Sequence, residues 1–197
     1  MISSVLAHVI VAVFPVGAIA AALSDATTFT IPNRLTIALA AAFFPVALIL
    51  GLPVQTIGAC AAVGVLALIV GIGMFAMNWC GGGDAKLLAA CALWLGLPAI
   101  LPFLFAMSVV GGLLALVLVL GRKVALGALI MAAWAWLGRR LAPTLAVASG
   151  SGSPPTAPAW LGRLFEPTEA LPYGVAIAIG ALIAFPSSPI VHALGGH

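Results

Sequence analysis

Two aspartates stand out in a chain that has almost no charged side chains. Asp25 and Asp84 each follow a long apolar run, and the 197 residues include only four acidic and seven basic side chains. Two carboxyl groups held close together can share one proton, so that one activates water while the other polarises a carbonyl group. That chemistry suits amide hydrolysis. Ordinary loop positions at a bilayer surface are the alternative for the same two residues.

Both aspartates have recognisable surroundings. Asp84 closes the sequence Gly81-Gly82-Gly83-Asp84, a GxGD pattern whose glycines permit positive φ angles and close approach by another chain. Asp25 is followed by Ile31-Pro32-Asn33. The proline there disfavours a helical residue before it, and the asparagine is predicted to cap the next helix. Each pattern alone is common at helix ends, so neither is specific by itself.

The composition excludes a soluble protein. Hydrophobic residues make up 64% of the chain and charged residues 6%, whereas a soluble domain carries about 25% charged residues to keep its surface wetted. A soluble enzyme, a nucleic-acid-binding protein and a disordered protein are therefore excluded. The three cysteines have no CxxC spacing and the three histidines are scattered, so no metal site and no cofactor are predicted.

Apolar runs separated by polar residues, glycine or proline predict the helices that must position these side chains. The predicted runs cover about residues 2–23, 35–50, 54–77, 87–120 and 171–185. One helix over 87–120 would overshoot the hydrocarbon core, so this run is expected to form two crossings divided at Gly96-Leu97-Pro98. The first span is predicted to end at Ser24-Asp25, and the third at the polar segment Asn78–Asp84.

The basic residues predict the topology. With six spans and the N-terminus outside, every Lys and Arg falls in the cytoplasmic segments 24–34, 78–86 and 121–170, as the positive-inside rule requires. Segment 121–170 is predicted to be a cytoplasmic loop with a flexible Gly/Ser/Pro stretch at 149–158. Within the loop, 124–137 is predicted to be an interfacial helix, because basic residues and two tryptophans suit the membrane surface. A seventh crossing is the alternative.

Three motifs together resemble a known family. Asp25 with Ile31-Pro32-Asn33, then Gly81-Gly82-Gly83-Asp84-Ala85-Lys86, then Pro172-Tyr173-Gly174 are similar to motifs of the type IV prepilin (leader) peptidase family. The resemblance is closest to the small form associated with tight-adherence (Flp) pili, and it extends from about residue 5 to residue 185. Three motifs in the right order and in a membrane setting are far more specific than any one of them.

The resemblance implies a GxGD-type membrane aspartic protease that cleaves prepilin leaders at the cytoplasmic face of the bacterial inner membrane. It maps the family's catalytic aspartates onto Asp25 and Asp84. The residues expected to form the active-site loop and bind substrate are Gly81, Gly83, Lys86, Ile31, Pro32, Asn33, Pro172, Tyr173 and Gly174. Larger relatives carry a cysteine-containing insertion after the first span and also methylate the new pilin terminus. Only Ser24–Arg34 is present here, so peptidase activity without methyltransferase activity is expected.

Two of these side chains have other interpretations. Lys86 lies two residues after Asp84 and so points to a different side of a helix. It either tunes Asp84 or extends its ammonium group to the lipid phosphates. Tyr173, the only tyrosine, either lines the active site or anchors the last span at the membrane interface.

We therefore predict an all-α integral membrane bundle of about six transmembrane helices with an added interfacial helix, forming one peptidase domain over 1–197. Its expected partners are a prepilin with its leader and apolar helix, the lipid bilayer and the pilus assembly machinery, and not nucleic acid. A small ion- or proton-coupled transporter subunit is the alternative, although a coupling acid should then lie near the middle of a span. A non-catalytic subunit of a secretion machine is a third interpretation.

Overall fold

The computed structural model describes residues 10–123, 129–130, 132–137, 140, 163 and 171–195. Within these ranges the regular structure is entirely helical, which confirms the predicted all-α fold. In chain order the elements are α1 (Val13–Thr28), α2 (Asn33–Ile49), α3 (Val54–Ala76), α4 (Gly82–Lys123), α5 (Tyr173–Ala184), a 3₁₀ turn (Phe185–Ser187) and α6 (Pro189–Gly195).

The helices have the lengths and compositions of a membrane protein. Among the described residues, three stretches are long and apolar enough to cross a bilayer, namely Val54–Ala76, Gly82–Leu120 and Tyr173–Leu194. The helices α1 and α2 are also apolar but shorter, with 16 and 17 residues, against the roughly 20 that a perpendicular crossing needs. Large apolar side chains such as Ile69 and Phe105 are exposed on the outside of the helices, which suits lipid as the surrounding solvent.

The long helix α4 reverses direction at Gly96. This residue has φ 59° and ψ −171°, a backbone conformation outside the helical region that glycine adopts readily. From there on, α4 contacts the last helices of the chain in reverse order: Gly96 lies against Pro189, Met107 against Gly180, and Gly111 against Tyr173. The part of α4 after Gly96 therefore runs antiparallel to α5. The predicted division of the run at Gly96 is confirmed.

Trp94 lies at the centre of the packing at the end of the bundle near Gly96. Its ring is fully buried and packs on Phe14 and Phe43, with ring centroids 5.2 Å and 5.8 Å away. Its indole Nε1–H donates a hydrogen bond to the Leu39 carbonyl at 2.8 Å, so burial leaves no polar group unpaired. This cluster joins α1, α2 and α4 at the end of the bundle away from the aspartates. It thereby fixes the relative positions of the three helices that carry the first two motifs at their other ends.

Prolines directly precede the helices α2, α3 and α5. These are Pro32, Pro53 and Pro172. A helix start tolerates proline because the first N–H groups have no partner within the helix. At the other end of α3, Asn78 has φ 58°, a left-handed conformation that asparagine favours after a helix. The predicted stop of the third span is thus one residue from the observed end at Ala76.

The predicted end of the first span is wrong. The helix α1 continues past Ser24 and through Asp25 to Thr28, and it ends where Phe29 adopts φ 56° and its N–H bonds to the Asp25 carbonyl. The Thr28 hydroxyl donates to the Ser24 carbonyl at 2.7 Å, a local bond of the kind that competes with the helix and favours its end. A left-handed non-glycine residue is uncommon, and no glycine marks the stop.

The chain divides into two compact units, one formed by Met1–Gly112 with Pro172–His197 and the other by Leu113–Leu171. The described residues 129–130 and 132–137 of the second unit are helical and fall within the predicted interfacial helix. The Arg140 guanidinium lies 5.2 Å from the Trp136 ring centroid, within reach of a cation–π interaction. The stretch at 149–158 lies outside the described residues. The single domain and the sidedness remain predictions.

Candidate active site

Asp25 is buried at the end of α1, with 5% of its surface exposed. Its Oδ2 accepts a hydrogen bond from the Gly174 N–H at 2.7 Å. Gly174 belongs to the first turn of α5, where N–H groups lack partners within the helix. The Asp25 carboxylate therefore caps a helix 149 residues away in the chain, where the helix dipole stabilises negative charge.

Asp84 is half-buried in the first turn of α4, inside the helix that was predicted to begin only after it. Its Oδ2 accepts a hydrogen bond from the Gly81 N–H at 3.2 Å. An acidic side chain that reaches back in this way satisfies a helix-start donor, as in half of a capping box. The other carboxyl oxygen, Oδ1, has no hydrogen-bond partner within the described part of the chain, so it is available to another molecule.

Ile31 connects the surroundings of the two aspartates. Its side chain is 7% exposed and lies between Gly83, the residue before Asp84, and Gly174, the residue that bonds to Asp25. A Cβ atom on Gly83 would be 3.2 Å from Ile31 Cβ, and one on Gly174 would be 2.7 Å from Ile31 Cδ1. The negative charge of Asp25 acts on Asp84 electrostatically. The structure therefore brings both acids to one end of the bundle.

Two glycines lie in close contact with the acids. A Cβ atom on Gly174 would lie 2.8 Å from the Asp25 Oδ2, a distance that side chains essentially never have. A Cβ atom on Gly81 would lie 3.0 Å from the Asp84 Oδ2, which is tight but involves the end of a side chain that can shift. The Gly174 site therefore needs glycine for space, whereas the Gly81 site only favours it.

Asn33 does not cap α2 as predicted. Pro32 occupies the capping position, and the cap makes no side-chain hydrogen bond. The Asn33 Oδ1 instead accepts a hydrogen bond from the Lys86 Nζ at 2.9 Å, across 53 residues of sequence. Because Lys86 lies in the first turns of α4, this bond ties the start of α2 to the GxGD motif. Neither predicted role of Lys86 included this contact.

Tyr173 packs into the bundle rather than standing free at its edge. It is partly buried against the hydrophobic core, and its ring covers Gly111 on the returning part of α4. A Cβ atom on Gly111 would be 2.8 Å from the tyrosine hydroxyl. Pro172 is buried at the start of α5. Sequence reasoning missed Gly111 because a glycine within a long apolar span carries no signal of its own.

The geometry defines a class of protein: a helical membrane protein whose two acidic side chains come from distant segments to one end of the bundle. A family model described as the type IV leader peptidase family matches residues 12–116, more than half of the chain. The protein therefore belongs to this family, and is a protease of the leader-peptidase type. The match includes both aspartates and excludes Pro172–Gly174. Neither a search of curated proteins nor a search of solved structures returned a match.

Proposed function

We propose that this protein is a GxGD-type aspartic endopeptidase in which Asp25 and Asp84 form the catalytic pair. The observation that supports the proposal is the position of both acids at the same end of the bundle, around Ile31. Asp25 is held on the first turn of α5, and its charge acts on Asp84 in the first turn of α4. In an almost uncharged chain, bringing two acids together is costly. Capping two helices would not require the two aspartates to interact, so a structural role alone does not account for their proximity.

The pair performs hydrolysis by sharing one proton. The ionised carboxylate removes a proton from a water molecule, and the water oxygen attacks the scissile carbonyl carbon. The protonated carboxyl group donates a hydrogen bond to the carbonyl oxygen, and a proton then passes to the leaving amide nitrogen as the C–N bond breaks. The two groups titrate as a pair, so each step belongs to the dyad rather than to a separate acid and base.

The substrate is a prepilin of the Flp type, and the cut lies between its leader and its apolar helix. A protease must bind an extended backbone, and Asp84 is partly exposed beside the exposed backbone of Gly81. Ile31, Pro32 and Asn33 form the adjoining edge. Both aspartates lie at helix ends, which suits a substrate that approaches from the membrane surface better than an ion that crosses the middle of a span.

Three finer features complete the proposal. The segment Ser24–Arg34 is short and contains no cysteine, so the protein is a peptidase without methyltransferase activity. The distribution of basic residues favours a position of the aspartates on the cytoplasmic face of the bacterial inner membrane. The product then passes to the pilus assembly machinery.

The test is cleavage of a purified Flp-type prepilin by the purified protein in detergent. Asp25→Asn and Asp84→Asn should each abolish leader removal, whereas Glu169→Gln, the same change at another acid, should retain it. Mass spectrometry of the product, with a methyl donor present, should find a free and unmethylated N-terminus. Normal processing by either aspartate variant would disprove the catalytic pair, and a methylated product would disprove the restriction to peptidase activity.

A further inference from the structure

An open groove runs along one side of the bundle, between α2, α3 and the first part of α4. It encloses about 280 Å³. Its wall on α2 extends from Thr36 to Phe44, and its wall on α4 extends from Lys86 to Leu93. Lys86 and Thr36 lie near the helix starts where the aspartates are, so the groove leads from that end of the bundle toward its middle.

The groove is short compared with a transmembrane helix. Eight residues separate Thr36 from Phe44, which corresponds to a length of roughly 12 Å along α2. A helix of about 20 residues that crosses the bilayer is about 30 Å long. The groove therefore matches a short extended chain better than the whole apolar helix of a substrate.

The lining excludes an extended peptide as that chain. Apart from Thr36 and Lys86, every side chain on the groove is apolar. The Thr36 hydroxyl already donates to the Asn33 carbonyl at 3.0 Å. A peptide would bring N–H and C=O groups that find no partners here, at a cost of several kcal/mol each in a membrane. A hydrocarbon chain carries no such groups and fits the lining.

Lys86 supplies the charge at the mouth of the groove. One of its three N–H donors bonds to the Asn33 Oδ1, and the described residues provide no carboxylate partner for the ammonium group. A cation between transmembrane helices at the membrane surface is a common site for an anionic lipid headgroup. We propose that the groove binds one anionic phospholipid, with an acyl chain along Phe44 and Leu93 and the phosphate on Lys86.

The experiment is native mass spectrometry of the whole protein, delipidated and then titrated with phosphatidylglycerol or with phosphatidylcholine of the same acyl chains. One phosphatidylglycerol molecule should bind about 5-fold more tightly than phosphatidylcholine. Lys86→Met should abolish that preference and leave the weaker binding. Ala61→Leu and, separately, Ala40→Leu should fill the groove and weaken the binding of both lipids, while size-exclusion elution shows that each variant remains folded.

Arg34→Gln is the matched control, because Arg34 is an exposed cation beside Asn33 that does not line the groove. It should leave the preference intact. Equal binding of the two lipids, or an equal loss of preference in Arg34→Gln and Lys86→Met, would reduce the effect to general surface attraction and overturn the proposal. Displacement of the bound lipid by a peptide of the prepilin apolar helix would also overturn it. None of these outcomes depends on peptidase activity.

Discussion

The two aspartates occupy helix N-termini in opposite ways. Asp84 reaches back three residues to the start of its own helix and stays half-exposed. Asp25 lies at the end of α1, is 5% exposed, and caps α5 through Gly174, 149 residues away. The position of Asp84 therefore depends on a local backbone turn, whereas the position of Asp25 depends on the packing of α1 against α5. A disturbance of that packing should displace Asp25 more than Asp84.

The largest effect should come from removing either carboxyl group. If the two differently held acids act as one catalytic pair, Asp25→Asn and Asp84→Asn should each lower kcat by about 10²–10⁴-fold, the usual contribution of acid–base groups. The double variant should be no worse than the poorer single variant, because residues that act as a unit are not additive. Single-turnover cleavage of prepilin measures this. Losses that multiply in the double variant would show that the acids work separately.

The next effect should distinguish the surroundings of Asp25 from those of Asp84. Gly174→Ala places a Cβ atom 2.8 Å from the Asp25 Oδ2 and 2.7 Å from Ile31 Cδ1, so the Asp25 carboxyl group and the Ile31 side chain must shift within a buried site. Since a shift of about 1 Å in a catalytic group costs about 10²-fold, cleavage should fall by about that factor. Gly81→Ala meets only the movable end of Asp84, at 3.0 Å, so it should cost less than about 10-fold.

Gly73→Ala is the control for both glycine variants, because a Cβ atom there meets nothing within 4 Å. It should leave the cleavage rate unchanged. Equal losses in Gly174→Ala and Gly81→Ala would contradict the distinction between a site fixed by packing and a site fixed by a local turn.

The same distinction explains what sequence reasoning found and missed. The break at Gly96 and the end of α3 near Asn78 follow from local backbone preferences, so they were predictable. The bond from Lys86 to Asn33 and the contact of Tyr173 with Gly111 join residues that are far apart in sequence. No propensity reports which distant groups meet, so the three motifs could be assigned to one site only through the family resemblance. The true end of α1 was missed because Phe29 gives no stop signal.

A smaller effect is expected from Ile31, which lies against both Gly83, next to Asp84, and Gly174, which bonds to Asp25. Ile31→Val removes Cδ1, the atom nearest to Gly174, and keeps Cβ, the atom nearest to Gly83. It should lower kcat about 3- to 10-fold with little change in KM, and cost about 0.5–1.5 kcal/mol of stability. Ile177→Val, at another buried isoleucine, should cost similar stability and retain full kcat. Equal kcat in the two variants would reduce Ile31 to a packing residue.

The smallest effect should be a change in the reactivity of Cys80, because this thiol responds to the charge of Asp84. Burial, and then the negative charge of Asp84, raise the pKa of the Cys80 thiol. Removing that charge lowers the thiol pKa, and a lower pKa means more thiolate near pH 8. Alkylation by iodoacetamide should therefore become a few-fold faster in Asp84→Asn.

Asp25→Asn provides the comparison, because the charge that raises the pKa of the Cys80 thiol is that of Asp84, so removing Asp25 should not speed alkylation. Cys60 and Cys91 are 1% and 0% exposed, so Cys80, which is partly exposed, should carry the label, and peptide mapping can verify this. Equal acceleration in the two variants would mean that Cys80 responds to a general loosening of the bundle end. Acceleration in Asp84→Asn alone would show that the Asp84 charge lies beside Cys80, near the backbone turn that holds Asp84.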